Sequence, residues 1–245
     1  MAADISTRHL SYIETGKAQP SREVLARLAD ALNMPLRERN TLLVASGYAP
    51  IYPETTLDTP ELAQMRRAVG LILAKQEPYP AFVINRHWDI LQTNEAMLRI
   101  DRLTMGRLSR HSNILHQVFD PEDFRPVIAN WHEVAENFLR HLHHEIAARP
   151  SHQRARQLLD EVLRYPDVPV DWQSRDVAKS PSPIQTMRFR SPRGELSFFE
   201  TITTFAMPQD VTLEEMRIEC AFPADDHTAR VCADLAASPA SNTFP

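Results

Sequence analysis

Glycine is scarce in this 245-residue chain, which has five, at positions 16, 47, 70, 106 and 194. A phosphate-cradling loop needs several glycines close together and is hard to build here; P-loop, G-x-G-x-x-G and G-x-S-x-G patterns are all absent. Cysteine is nearly missing as well. Cys220 and Cys232 form no C-x-x-C pair and no disulfide framework, and Cys220 sits in an alternating run that reads as a strand with a buried, reduced thiol. No run reaches the roughly 18 apolar residues that span a bilayer, and the opening MAADISTRHL lacks the apolar stretch of a signal peptide. A cytoplasmic protein without a membrane partner is therefore expected. Carboxylate pairs such as Asp225-Asp226 have no basic or nucleophilic partner beside them. No catalytic residue is assigned, and no enzyme is expected.

An excess of positive charge is also lacking. The net charge of −5 argues against the whole surface binding nucleic acid. The distribution is uneven, however. Residues 1–50 carry six basic groups (Arg8, Lys17, Arg22, Arg27, Arg37, Arg39) against five acidic ones, a net of +1, which leaves −6 on the rest.

The length fits two domains. In the first, Ser6 is placed to cap a helix running to about Thr15, with Gly16 as its left-handed stop. Ser21 or Pro20 opens a second helix with the apolar stripe Val24, Leu25, Leu28, Ala29 and Leu32. Pro35 opens a third, which carries Leu36, Leu42 and Leu43 and ends at Gly47. Pro50 and Pro53 forbid helix, so residues 51–59 read as a linker after an all-α segment at 1–50.

The second domain is expected at 60–236, and the small, polar residues 237–245 read as a flexible tail. A helix from Pro60 to about Gln76 precedes two short apolar runs, at 81–84 and 89–93, with the bend Asn85-Arg-His-Trp88 between them. That pattern predicts a hairpin. Asn94 caps a helix to about Ile100, and the longest helix runs from about Pro126 to Ala148, with Ile128, Trp131, Ala135, Phe138, Leu142 and Ile146 on one face. Ser151 starts another helix. After residue 183 the period falls to two, giving strands at 185–190, 195–205 and 216–222. Ser191-Pro-Arg-Gly194 turns the first pair, and Met216, Ile218, Cys220 and Phe222 share one face of the last strand.

The segment Ile5-Ser-Thr-Arg-His-Leu-Ser-Tyr-Ile-Glu-Thr-Gly16 resembles the recognition helix of phage-repressor-type (XRE-type) helix-turn-helix regulators. Ile5, Leu10 and Ile13 point to a core, while Ser6, Thr7, Arg8 and Ser11 lie on the opposite face. The resemblance implies that those four contact base edges of double-stranded operator DNA, Arg8 being able to pair bidentately with guanine. Ser21 and Arg22 resemble the family's backbone-contact position. A short amphipathic helix of any small bundle would show the same pattern. In the family the recognition helix is the third of five; here it begins at residue 6, so the first two are expected to be missing and operator binding to be weaker than in a form extended by them. The alternative expectation is a small-molecule-binding or interaction protein that has lost DNA binding.

Pro80-Ala-Phe-Val-Ile-Asn-Arg-His-Trp-Asp-Ile-Leu-Gln-Thr-Asn94 looks like the opening hairpin and asparagine-capped helix of PAS domains. Together with Phe119-Asp-Pro, Trp131 and the stretch from Gly194-Glu-Leu-Ser-Phe-Phe to Asp210-Val-Thr-Leu-Glu-Glu, it resembles the MmyB-like ligand-binding domain over roughly residues 60–235. The implied fold is α+β, a small all-α helix-turn-helix segment followed by a PAS-like antiparallel sheet with packed helices. The implied function is a homodimeric transcription regulator gated by a small apolar effector, a fatty acid or a similar molecule, with no other cofactor. Candidate pocket residues are Phe82, Trp88, Leu91, Leu98, Trp131, Phe138, Phe198, Phe199 and Met216, with Arg86, His87 and Asn94 as candidate polar anchors. Each apolar one is equally what a filled core uses. His141-Leu-His-His-Glu145 has spacing that metals accept, but H-E-x-x-H is absent and no second cluster accompanies it, so a solvated helix face is the preferred reading and no metal is assigned.

Overall fold

In the computed structural model, which describes residues 5–149, 152–173 and 184–238, several helices begin where the chain supplies an amide acceptor. Helix α1 (Thr7–Glu14) is capped by Ser6, whose hydroxyl accepts from the His9 amide at 3.2 Å. Ser21 does the same for α2 (Arg22–Ala31), accepting from Val24 at 3.3 Å. Pro35 offers α3 (Leu36–Ala45) no such group, and a distant carboxylate replaces it: Glu214 accepts from the Leu36 amide at 2.7 Å. Val24, Leu25, Ala29, Leu36 and Leu43 are buried where α2 meets α3. Leu32, expected on the α2 stripe, is exposed; it caps the helix end, past the last turn that keeps the stripe's phase.

The described residues divide into two compact units, one reaching Arg66 and taking in Thr204–Met216, the other holding the rest. Within the first, the proline-rich stretch after α3 is pinned rather than loose. Asn40 accepts from the Ile51 and Tyr52 amides, both at 3.1 Å, and donates to the Tyr52 carbonyl. Arg37 donates to Glu54 and bidentately to Glu215, at 2.7 and 2.9 Å.

The remaining elements are α4 (Ala63–Gln76), β1 (Ala81–Ile84), β2 (Ile90–Thr93), α5 (Glu95–Met105), α6 (Ile114–Phe119), α7 (Trp131–Ala148), α8 (Gln153–Val162), β3 (Thr186–Ser191), β4 (Gly194–Thr203), α9 (Val211–Glu214), β5 (Arg217–Pro223) and α10 (Asp226–Ala237). The strands form one antiparallel sheet in the order β2-β1-β5-β4-β3. The architecture is the expected α+β: short helices, then a sheet with packed helices. Register sets the faces. Glu219 of the central strand stands between Phe82 and Ile202, and Ala221 opposite Glu200, so these side chains share a face with Ile84, Arg217 and Phe198. Ala81, Val83, Ile218 and Cys220 occupy the other face and are also buried.

The first face meets α6, α7 and α8 in a core that includes Phe82, Ile84, Trp88, Phe119, Trp131 and Leu142. Helix α7 starts five residues later than the expected Pro126. Residues 128–130 are instead taken up by the edge of β3: Ile128 bridges to Phe189, the Ala129 amide donates to the Arg188 carbonyl at 2.6 Å, and Asn130 donates to that of Thr186 at 2.9 Å. Helix α5 passes the expected end at Ile100 and stops at Gly106, which takes the left-handed conformation (φ +72°). Helix α10, where the sequence offered only an unpartnered Asp225-Asp226 pair, is capped by Asp225, which accepts from the Thr228 amide at 2.7 Å. Its Val231 and Cys232 pack with Ile100, Leu196, Phe198 and Ala221. Gly194 closes the β3–β4 turn at φ +100°, and a Cβ there would lie 3.1 Å from the His227 ring. The expected helix start at Ser151 and most of the expected tail fall outside the described residues. Among the described residues no helix is long and apolar enough to cross a membrane.

Candidate effector cleft and DNA-reading helix

The β1–β2 hairpin is built by one side chain. Asn85 Oδ1 accepts from the His87 and Asp89 amides at 2.8 and 3.0 Å, and the bend that follows places Trp88 at φ +66°, a region bulky residues rarely enter. Such backbone persists only where the surroundings hold it. Here the indole Nε1–H donates to Glu145 of α7 at 3.0 Å, and the Arg217 guanidinium lies 4.5 Å over the ring. Arg217 also donates to Glu145 at 3.1 Å, with the His141 ring 3.4 Å away. Burial alone would raise the Glu145 carboxyl; hydrogen bonds from His141 and Trp88 and the Arg217 charge outweigh it and hold the group below the usual carboxylate range. Glu145 is therefore turned inward, a correction at that one position to the expected solvated helix face, on which His141, His143 and His144 are exposed. Alternation of polar residues on a helix cannot reveal a strand arginine waiting on that side.

This knot forms one end of a cleft of about 410 Å³ between α7 and the sheet. Trp88, Val134, Phe138, Met187, Phe198 and Ile202 supply its apolar wall; His141, Glu200, Arg217 and Glu219 supply the polar one. Phe138, Met187 and Phe198 also border a smaller space of about 40 Å³, which Phe82, Met97, Ile114 and Phe124 close off. Trp88 and Phe138 meet edge-on, ring centroids 5.7 Å apart. Desolvation raises the Glu219 carboxyl above its ordinary value, the nearby Arg217 and His141 charges offsetting only part of it. Glu200, though its side chain is exposed to the cleft, is raised in the same direction by partial loss of hydration and by Glu219's charge.

Of the residues expected at a pocket, the structure brings Phe82, Trp88, Phe138 and Phe198 to these two spaces. It places the others elsewhere. Trp131 is buried beside Phe119, its ring N–H donating to the Val118 carbonyl at 2.9 Å. Phe199 stacks on Phe222 across the opposite sheet face. Leu91 is exposed on β2, Leu98 is half-buried on α5, and Met216 belongs to the first unit. Of the anchors, Asn94 is fully engaged: its carbonyl oxygen accepts from Ala81 and Met97, and its amide donates to the Leu73 and Tyr79 carbonyls. Arg86 and His87 gather instead around His152, to which Arg86 donates at 3.1 Å. Burial and the Arg86 charge push the His152 imidazole down to about 4. The cleft's charged residues, Arg217, Glu219, Glu200 and their partner Glu145, were not among the sequence candidates. Among the described residues no group of three or more His, Cys, Asp or Glu is placed to hold a metal.

In the first unit Ser6, Thr7, Arg8, Ser11, Ser21 and Arg22 are all exposed. Ile5 is buried beneath them, and Leu10 and Ile13 are half-buried. The Ser6 and Ser21 hydroxyls accept amide bonds as caps, which leaves each O–H free to donate. Arg8 extends along α1 with two bonds of 3.1 Å to the Tyr12 hydroxyl, and Arg22 lies 5.1 Å over the Tyr48 ring. Polar, hydrogen-bond-capable side chains are thus presented from two successive helix starts.

A short-helix unit presenting polar side chains, and in the same chain a sheet with an aromatic cleft, suit a class of protein in which one part reads DNA and the other a small molecule. Comparison with protein families agrees. Residues 65–235 match the MmyB-like transcription regulator ligand binding domain, and residues 1–42 match a helix-turn-helix domain. The chain belongs to the MmyB-like transcription regulator family, and is a ligand-responsive, DNA-binding transcription regulator. None of the curated proteins matches it.

Proposed function

We propose that the cleft between α7 and the sheet binds a small apolar, fatty-acyl-like effector, and that its occupancy controls operator binding by α1. The observation that carries this reading is the cleft itself: about 410 Å³, walled by Trp88, Phe138, Met187 and Phe198, in a family of ligand-binding regulators. The apolar body would lie against those aromatics, and the hydrogen-bonding groups of the far wall would meet its polar end. The sheet order β2-β1-β5-β4-β3, the tight β1–β2 hairpin and the Asn94 cap support a PAS-like scaffold. On the DNA side, Ser6, Thr7, Arg8 and Ser11 read base edges from the start of α1, while Ser21 and Arg22 hold the phosphate backbone. The protein acts in the cytoplasm as a homodimer on two half-sites, and light scattering at micromolar concentration checks that state.

Thermal unfolding with added fatty acids and alcohols tests the cleft. A molecule bound only by the folded chain raises the melting temperature, increasingly with concentration. Phe138→Trp narrows both spaces at their shared wall and should abolish the rise. If no such molecule shifts the transition and none is found by mass spectrometry in purified protein, the effector reading fails.

A further inference from the structure

Glu219 is on the central strand, 7 % exposed, flanked across the sheet by Phe82 and Ile202 and facing an aromatic cleft. Buried carboxylates are ordinarily paired, because stripping their water is costly. Among the described residues neither Glu219 nor its neighbour Glu200, exposed into the same cleft, has a hydrogen bond or ion pair. The one cation on that wall, Arg217, is committed to Glu145 at 3.1 Å and to the Trp88 ring. Its NH2 group has no hydrogen-bond partner but is sealed from solvent, so a ligand carboxylate cannot reach it without displacing the wall. A negative head group entering here would meet two unpaired carboxyls. A positive one would meet two carboxyl acceptors, beside the rings of Phe138 and Phe198, the other polar groups of the lining, Arg217 apart, being the neutral amides of Asn137 and Gln185 and the His141 ring.

We infer that the cleft selects an amphipathic effector with a cationic, hydrogen-bond-donating head, an alkyl or aralkyl amine, held by Glu219 and Glu200. The inference rests on the reading of this cleft as the effector site; it keeps the apolar tail of the fatty-acyl-like effector and replaces an acidic head by a cationic one. The titration of both carboxyls agrees in direction: loss of hydration raises Glu219 despite the Arg217 and His141 charges and raises Glu200 beside it, and an ammonium would add counter-charge there.

Isothermal titration of the full chain at pH 7 with octylamine, octanol and octanoate separates tail from head. The amine should bind at least about tenfold more tightly than the acid, with the alcohol between them. Glu219→Gln and Glu200→Gln should each remove most of the amine's advantage and leave octanol unaffected. Glu219→Gln should also raise the melting temperature of the unliganded protein, because it removes an unpaired buried charge; that readout keeps the test informative if one variant expresses poorly. Octanoate binding as tightly as the amine, or an amine preference that survives both substitutions, overturns the head-group assignment while leaving an apolar effector site standing. Binding of none of the three removes the site and this inference together.

Discussion

Replacing Glu145 by alanine removes the carboxylate that holds Trp88 and Arg217 together. The side chain accepts from the indole at 3.0 Å and from the guanidinium at 3.1 Å. A hydrogen bond to a charged group contributes about 1.5–3 kcal/mol, and orphaning a fully buried charge costs about 3–5 kcal/mol. Both side chains keep some exposure, 22 % for Glu145 and 15 % for Arg217 even with its NH2 group sealed, so water recovers part of the loss. A destabilisation of about 2–4 kcal/mol follows. Glu145→Gln keeps an acceptor for the indole and should cost less. Adding Arg217→Met to Glu145→Ala should recover part of the loss, because the orphaned charge is then gone. Urea titration followed by tryptophan fluorescence suits the measurement, since Trp88, Trp131 and Trp172 all belong to the sheet unit. The sign with pH is fixed as well. The folded Glu145 pKa lies below its ordinary value, so its contribution is present in full above the ordinary carboxylate range and is lost as pH falls through the folded value. The alanine variant should lack that part of the acid-induced loss. A destabilisation under about 0.5 kcal/mol, the range of ordinary surface substitutions, would refute the knot as a structural anchor.

Three further perturbations probe other parts of the account. Arg8→Ala should weaken operator binding by about 1–3 kcal/mol and relax preference at one base pair in competition gel shifts at fixed salt; uniform weakening across sequences would reassign Arg8 to a phosphate. Asn94→Ala deletes four hydrogen bonds at a buried helix cap and should destabilise the sheet unit by about 2–4 kcal/mol in urea, against the account if below about 1. His152 titrates lower in the folded chain, at about 4, than its ordinary 6.5, so the unfolded chain takes up the proton first and stability falls as pH drops through that window. His152→Gln should flatten this fall, and a fall of the same size in the variant would show that another group causes it.

Local signals were legible in the sequence. Ser6, Ser21 and Asn94 cap the helices assigned to them because a cap depends on three or four consecutive residues. The β1–β2 hairpin and the Gly194 turn are equally local. The polar side of the cleft was not legible, and the reason lies in the sheet. Met216, Ile218, Cys220 and Phe222 alternate with Arg217, Glu219 and Ala221, and alternation in a strand ordinarily means a wet face opposite a dry one. Here β5 is central and both faces are covered, so the residues that looked solvent-facing line the cleft. The groups they face come from α7 and β4, and Arg217 pairs with Glu145, 72 residues away in sequence, a pairing no window of sequence displays. The α7 start was misplaced for a similar reason: the β3 edge claims residues 128–130, overriding a helical pattern that continues through them. Helix α10 was missed because its capping aspartate stands in an acidic pair that carries no pattern until Val231 and Cys232 meet α5 and β4.

On the proposed function, cleft occupancy and DNA binding are thermodynamically coupled. Fluorescence anisotropy measures this directly, using a duplex selected from a random-sequence pool by the protein itself, at one salt concentration, with and without saturating octylamine or octanol. A change in DNA Kd within the usual range of allosteric coupling, about 5- to 150-fold, is expected and should disappear in Phe138→Trp. An unchanged Kd, with calorimetry showing the cleft filled, would contradict it.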